Sequence, residues 1–328
     1  MSLQDLQQAL KFVRGVSRGV RRGEVFPAAG RVPPQPAPGG SRTVATTAEA
    51  SAGRRWNELG AWETTEHTVP VPGLTERLRV LHLSDVHLRG PEAWVGQLNA
   101  QLAGLAPDLL VITGDVVTRG FDRAVTDGFL AALPRARLGN YAVIGNWEYW
   151  GLNTDTRSPH DPAYSGNQAD QKRLRREQWE AVLAGHSIPL LHNRSVRVGP
   201  IRLAGTDDAL AGSPDVAAAY ADLDGTPTLT LTHSPVLFEE LVHPDVFAVL
   251  AGHTHAGQVR IPLTGPFFLP KGSGAYPWGW YSAESARASE GGEAVRTWLF
   301  VHRGIGWSVA PVRWRAPPEI AWIVLEPG

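Results

Sequence analysis

The sequence predicts an α/β fold, with two β-sheets and helices packed outside them. Three observations predict it. Short β-rich runs at 78–83, 109–113, 141–144, 228–231 and 247–251 alternate with segments of helical period. Most of these runs lead into a polar motif, in the order Asp85-Val86-His87, Gly114-Asp115, Gly145-Asn146, His233 and Gly252-His253-Thr254-His255. The last third of the chain turns β-rich and closes in strands expected near 297–302 and 320–325.

Taken in order, residues 1–25 read as a basic amphipathic helix. Leu3, Leu6, Leu10, Val13 and Val20 recur at helical spacing, and Lys11, Arg14, Arg18 and Arg21 share an adjoining face. Residues 1–55 carry nine basic side chains against three acidic ones, although the whole chain has a net charge of −1. Such a helix suits a membrane surface; a frayed or disordered tail, or a helix docked on the protein's own surface, is the alternative. Residues 26–55 are a Pro/Gly-rich linker, semi-extended in RVPPQPAPGG, and 56–328 form the folded domain. Within it the pattern predicts strand 78–84, helix 91–105, strand 108–113, helix 120–132 and strand 141–145. An insertion at 151–170 and a charged helix at 170–184 follow. Short strands are expected near 188–191, 195–198 and 201–206. Helix 214–223, strand 228–232, helix 235–242 and strand 246–251 complete the alternation. No run of 18 apolar residues exists, so no membrane span is expected, and the N-terminus lacks the apolar core of a secretory signal. Without cysteine there are no disulfides or thiolate metal sites.

The polar motifs carry the chemistry. Asp85 and His87, like His253 and His255, stand two residues apart beside a strand, where extended backbone would turn both side chains to one ion. Asp115 has two carboxylate oxygens and can bridge two cations, and Asn146 offers a neutral amide oxygen. Gly114, Gly145 and Gly252 precede ligand positions, as a crowded turn requires. Carboxylate, amide and imidazole together suit a pair of hard-to-borderline divalent metals, with manganese, iron and zinc all compatible.

This ordered set resembles the calcineurin-like metallophosphoesterases, whose pattern is D-x-H, G-D, G-N-H-D/E, H and G-H-x-H. The likeness covers about residues 60–328. VLHLSDVH, DLLVITGD, GHTHAGQVRIP and PVRWRAPPEI resemble the bacterial branch of membrane-associated phosphodiesterases that includes UDP-2,3-diacylglucosamine pyrophosphatases. The resemblance implies a four-layer α/β/β/α sandwich and two divalent metal ions. Asp85, His87, Asp115 and His255 would hold one; Asp115, Asn146, His233 and His253 would hold the other. Asp115, Asn146 and His253 would be the catalytic residues. A metal-held hydroxide would attack a phosphodiester or pyrophosphate bond.

One position departs from the pattern: Trp147 stands where the family usually has histidine. Indole can donate a hydrogen bond but is no acid or base. A phosphate leaving group is a weak base and an alkoxide is not, so the substitution favours a pyrophosphate or a similarly activated ester. His160 and His192 are candidate replacement acids. Trp147, Tyr149, Trp150, Tyr276, Trp278, Trp280 and Tyr281 form either an apolar lip for acyl chains or bases, or ordinary core. The basic run Lys172, Arg173, Arg175 and Arg176 reads as a solvated helix face or a phosphate contact.

The expected partners are a phosphoester substrate, lipid- or nucleotide-linked, and a membrane surface met through residues 1–22. The expected location is cytoplasmic, peripheral at the inner face of the cell membrane. No nucleic acid is expected, because charge is balanced and 60–328 carries no basic stripe. The alternatives are a soluble nucleotide phosphodiesterase and a metal-binding protein that Trp147 leaves with weak or no catalysis.

Overall fold

The computed structural model describes residues 25–27, 32–46, 61–151, 168–261, 265–266, 268–285, 295–308 and 311–328 of the 328-residue chain. Its strands are β1 (Val25–Pro27), β2 (Ser41–Thr46), β3 (Glu63–Val71), β4 (Leu78–Leu83), β5 (Leu109–Thr113), β6 (Asn140–Val143), β7 (Arg194–Val198) and β8 (Ile201–Gly205). Then come β9 (Thr228–Leu231), β10 (Val246–Ala251), β11 (Arg260–Ile261), β12 (Gly265–Pro266), β13 (Phe268–Pro270), β14 (Gly279–Ser285), β15 (Val295–Val301) and β16 (Glu319–Pro327).

Two six-stranded sheets form the body. The first has the order β2-β3-β16-β4-β5-β6, the second β14-β15-β10-β9-β8-β7. Strands β4, β5 and β6 run parallel, as do β8, β9, β10 and β15; antiparallel strands occupy the edges at β2, β7 and β14. Strand β5 (LLVIT) and strand β10 (VFAVLA) are buried at every residue. Such continuous apolar runs belong to parallel strands covered on both faces.

Side-chain alternation sorts the layers. Leu81, Leu83, Leu110 and Ile112 face the helices α1 (Ala93–Ala103) and α2 (Arg123–Ala132) and, farther along, Trp179 and Leu183 of the Gln168–Ala184 helix. Asp122 caps α2, its carboxylate accepting from Ala124 N and Val125 N. Val80, Val111, Leu203, Leu229, Leu250 and Phe300 fill the space between the sheets. Val249, Ala251 and Leu299 on the far face meet Leu237, Phe238 and Leu241 of the 3₁₀ segment Pro235–Leu241. The result is the α/β/β/α sandwich that the resemblance implied. His82 follows the alternation too: opposite Leu81 and Leu83, it is fully buried against Phe300 and His302.

Several elements differ from the sequence expectation. The described part of the 26–55 linker is not free spacer. Thr43 and its neighbours add β2 to the edge of β3, and Gly39 N donates to Thr68 O at 2.9 Å; β-branched residues after the proline stretch suit an edge strand. Residues 188–191 make no strand, only one bridge from Leu190 to Ala142. The helix expected at 214–223 is four residues long, Val216–Ala219, and 235–242 winds as 3₁₀ helix after Pro235. Residues 1–24 and His160 lie outside the described residues. Among the described residues no helix is long and apolar enough to cross a membrane.

Candidate metal centre

All seven predicted ligands lie beyond the carboxyl ends of parallel strands: Asp85 and His87 after β4, Asp115 after β5, Asn146 after β6, His233 after β9, His253 and His255 after β10. Loops at that edge of an open sheet are where α/β folds gather polar groups. The loops after β4 and β5 are zipped together. Asp85 N donates to Gly114 O (3.0 Å), His87 N to Asp115 O (3.0 Å) and Leu88 N to Val116 O (2.8 Å).

The backbone at these residues is not extended, which corrects the sequence expectation. Asp85, His87, Asp115, His253 and His255 have φ of 54°, 53°, 53°, 71° and 51°. The left-handed region costs an L-residue about 1–2 kcal/mol, and such strain persists where the surroundings over-determine it. Here the turns aim alternate side chains inward. They also bring backbone so close that a Cβ on Gly252 would collide with Ser84 Oγ and Asp85 Oδ2.

The seven side chains converge in two groups, and all are buried. In the first, His255 Nε2 lies 3.3 Å from Asp85 Oδ1 and 2.9 Å from His87 Nε2. In the second, His233 Nε2 lies 3.1 Å from Asp115 Oδ2, 3.2 Å from Asn146 Oδ1 and 3.1 Å from His253 Nδ1. Asp115 Oδ2 is also 3.7 Å from His87 Nε2, so this carboxylate lies between the groups. Asp85, His87 and His255, and likewise Asp115, His233 and His253, have donor atoms within 4.8 Å of one another.

The proton positions test whether cations fit. His233 Nδ1 donates to Thr113 O at 2.7 Å, and His253 Nε2 donates to Lys271 O at 2.6 Å. If both rings are neutral, the lone pairs of His233 Nε2 and His253 Nδ1 face each other at 3.1 Å, which is repulsive unless a cation accepts both. Donor contacts of 2.9–3.3 Å also match the spacing around a cation about 2.0–2.2 Å from each ligand atom. The donor set fits divalent cations.

Electrostatics agree. Burial pushes the Asp115 carboxyl up to about 6, opposed by His233, and burial raises Asp85 as well. Burial opposes charge on His233, yet the Asp115, Asp85 and Asp208 carboxylates outweigh it and hold the imidazole well above its usual value. Burial drives His253 down to about 3 and His87 and His255 well below the usual range. Cations need Asp115 ionised and His233 neutral, so their uptake displaces protons held there. Asp115 places its share of that competition near pH 6, and His233, held well above its usual value, extends it to higher pH. Manganese affinity of the Asp115 group should therefore fall about tenfold per pH unit below about 6 from Asp115 alone, and more steeply with His233 included. Titrating manganese calorimetrically between pH 7.5 and 5 checks this; a flat profile contradicts it.

Two groups beside the predicted ligands escaped the sequence reading. Glu148, fully buried, accepts from Gly145 N (2.8 Å), Asp115 N (3.0 Å), Val116 N (2.6 Å) and Val117 N (3.3 Å), pinning the Asp115 turn. Its acidic place in Gly145-Asn146-Trp147-Glu148 was the available signal. Arg313 donates from Nη2 to His255 Nδ1 at 2.9 Å across 58 positions of sequence, a spacing that offers no local signal. The aromatic set divides. Tyr149, Trp280 and Tyr281 are core; Trp147, Trp150, Tyr276 and Trp278 are half-buried. His192 pairs with Asp207 (3.2 Å). Arg175 is buried, donating to Tyr149 O (3.0 Å), whereas Arg173 pairs with Glu177 on the surface (3.1 Å).

Comparison with known proteins places this geometry. The family model for calcineurin-like phosphoesterases matches residues 78–257, a span that holds all seven ligand positions. The uncharacterized metallophosphoesterase YkuE of Bacillus subtilis (strain 168) is 26% identical over 281 residues, 83% of this chain and 88% of that protein. YkoQ of the same organism, also an uncharacterized metallophosphoesterase, is 30% identical over 204 residues, 60% of this chain and 67% of YkoQ. The UDP-2,3-diacylglucosamine pyrophosphatase LpxG of Chlamydia muridarum (strain MoPn / Nigg) is 27% identical over 277 residues, 74% of this chain and 82% of that protein. With the family model covering more than half of the sequence, the chain belongs to the calcineurin-like phosphoesterases and is a metal-dependent phosphoester hydrolase.

Proposed function

We propose that the protein hydrolyses a phosphodiester or pyrophosphate bond of a lipid-linked or nucleotide-linked substrate at a centre for two divalent cations, manganese, iron or zinc. The observation that carries this is the pair of buried ligand groups with Asp115 lying between them. When bound, the cations supply Lewis-acid charge and activate water for in-line attack. The chain's own contribution is arrangement. Asp85, His87 and His255 would hold one cation, Asn146, His233 and His253 the other, and Asp115 would contribute to both. Thr113 O and Lys271 O fix the His233 and His253 tautomers so that both lone pairs face inward. Two cations against the Asp85 and Asp115 carboxylates would leave a formal +2, which would attract a phosphoryl group by charge.

Trp147 selects the leaving group. Its backbone N donates to Asp115 Oδ1 at 2.8 Å, and its ring stands edge-on to His87 with centroids 6.0 Å apart. An indole there supplies no proton, which favours leaving groups that depart as weak bases, phosphate above all. LpxG, by its name a pyrophosphatase of a nucleotide- and acyl-bearing sugar, supports that class. The half-buried Trp147, Trp150, Tyr276 and Trp278 offer apolar surface for such a substrate. The basic amphipathic pattern of residues 1–22 supports a place at the inner face of the cell membrane. Trp147 equally supports the second reading, a metal-binding protein with little catalysis.

The test is hydrolysis by manganese-loaded protein of a nucleoside diphosphate diester, bis-p-nitrophenyl phosphate and an alkyl phosphodiester, before and after chelation. Turnover of the first two, lost with EDTA and restored by manganese, is expected. Metal uptake without turnover of any substrate leaves the binding-protein reading. Deleting residues 1–25 should move the protein out of the membrane fraction; an unchanged distribution removes the membrane placement.

A further inference from the structure

The segment from Phe268 to Trp278 touches both the ligand loop after β10 and the start of the described chain. Lys271 O accepts from His253 Nε2 (2.6 Å) and Pro277 O from Thr254 Oγ1 (2.6 Å). The same segment pairs β13 with β1, Val25 opposite Pro270, and Ala275 O accepts from Val32 N at 2.8 Å. Residues 1–24 therefore join the molecule beside Lys271. Exposed apolar side chains gather at the same place. Among the described residues the large hydrophobic side chains left exposed are Val32, Val44, Leu174, Val236 and Ile261. Val236 follows His233 closely in sequence, and its N donates to Gly272 O at 3.1 Å. Ile261 follows Arg260, whose guanidinium lies over the Trp278 ring, 4.8 Å from its centroid. Val32, Val236 and Ile261 thus border one segment, together with half-buried Tyr276 and Trp278 and exposed Lys271. Val44 belongs instead to β2, and Leu174 to the Gln168–Ala184 helix.

Apolar side chains scattered singly on a surface need no partner, but a group of them marks a contact face. Tyrosine and tryptophan beside exposed aliphatic residues, with lysine and arginine at hand, suit the boundary between water and lipid. The occupant is indicated by the chain that enters here. Residues 1–24 carry Lys11, Arg14, Arg18, Arg21 and Arg22 against Asp5 and Glu24, in the amphipathic pattern of a segment that binds anionic lipid. A segment of that kind brings the face to which it is joined against the surface it binds. We propose that the Val32–Val236–Ile261 rim is the face that rests on an anionic bilayer, so that a lipid-linked substrate meets the centre from the membrane side. This rests on the membrane placement proposed above and goes beyond it by fixing which face of the molecule is turned to the lipid.

Because the chain has no cysteine, one label can be placed at a time. Val236→Cys, Ile261→Cys, Val44→Cys and Leu174→Cys, each in the full chain, are labelled with a fluorophore that brightens in an apolar setting. Each is mixed with vesicles of phosphatidylcholine alone or of phosphatidylcholine with phosphatidylglycerol. On the phosphatidylglycerol vesicles, emission from positions 236 and 261 should rise and shift to the blue, and emission from 44 and 174 should not change. Flotation of unlabelled protein with the same vesicles is the second measurement. Val236→Glu combined with Ile261→Glu should weaken binding by about tenfold or more, since two aliphatic side chains no longer bury in lipid. Val44→Glu combined with Leu174→Glu adds the same charge and should bind as wild type does. Equal responses at all four label positions, rim substitutions no worse than the controls, or equal responses to both kinds of vesicle overturn the rim while wild-type flotation keeps the membrane placement. Emission from 236 and 261 that rises with protein concentration without vesicles assigns the rim to a second copy of the chain and overturns it too. Wild type that floats with neither kind of vesicle defeats the membrane placement itself, and the rim falls with it.

Discussion

Asp115→Asn is expected to give a folded protein whose phosphodiesterase activity is lower by about 10³-fold or more. Asp115 Oδ2 stands 3.1 Å from His233 Nε2 and 3.7 Å from His87 Nε2, so its charge acts on both halves of the centre. Metal-based stabilisation of a phosphoryl transition state is worth several kcal/mol, and each 1.4 kcal/mol is about a factor of ten. On the proposed arrangement, loss of the shared carboxylate should weaken both cations together, unlike loss of a ligand confined to one group. Folding is protected in this variant for local reasons. Asn tolerates the left-handed φ of 53° better than most residues, and its amide oxygen can still accept from Trp147 N. Asp115→Ala would lose both advantages and confuse strain with chemistry. Thermal melts of metal-free and manganese-loaded protein make the separation. The wild type should gain melting temperature with manganese, and Asp115→Asn should gain little. A variant that keeps two-metal binding and wild-type turnover removes Asp115 from its place in the mechanism.

The convergence of these seven residues was legible in the sequence because each ends or follows a buried strand, and strand order in a parallel sheet brings such ends to one edge. Asp85 and His255, 170 positions apart, lie 3.3 Å from each other for that reason. Local backbone geometry was not legible. Period-two reasoning describes residues inside a strand, while Asp85, His87, His253 and His255 sit just past one, in left-handed turns set by neighbouring loops. Strand β3 was missed because ETTEHTVPV alternates only weakly and carries charge; its pairing with β16 supplies what its own pattern lacks. The aromatic residues could not be divided either. Tyr281 and Trp278 are three positions apart, yet one is core and the other half-exposed, a distinction made by the facing segments Pro235–Leu241 and Arg260–Ile261.

Trp147→His should raise turnover selectively for substrates with poor leaving groups. The position is the first after Asn146, and its backbone N–H bond to Asp115 survives any substitution except proline. What changes is the side chain, which now stands edge-on to His87 and to Trp150 at centroid distances of 6.0 and 5.3 Å. Losing those edge contacts costs about 0.5–1.5 kcal/mol each at most, a visible but tolerable drop in melting temperature. An imidazole in the same place can carry a proton near neutrality, and a positioned general acid contributes about 10²–10⁴-fold where the leaving oxygen needs one. An alkoxide needs it; p-nitrophenolate and phosphate need it far less. The measured quantity is therefore the ratio of kcat/KM for an alkyl phosphodiester to that for bis-p-nitrophenyl phosphate, which should rise by at least about tenfold. A new fall in the alkyl rate at high pH, as the imidazole loses its proton, should accompany it. If both rates fall together, Trp147 shapes the pocket rather than standing in for an acid. If wild type and variant both bind manganese and neither turns over any ester, the fold has kept a metal centre without the hydrolysis, and the binding-protein reading takes its place.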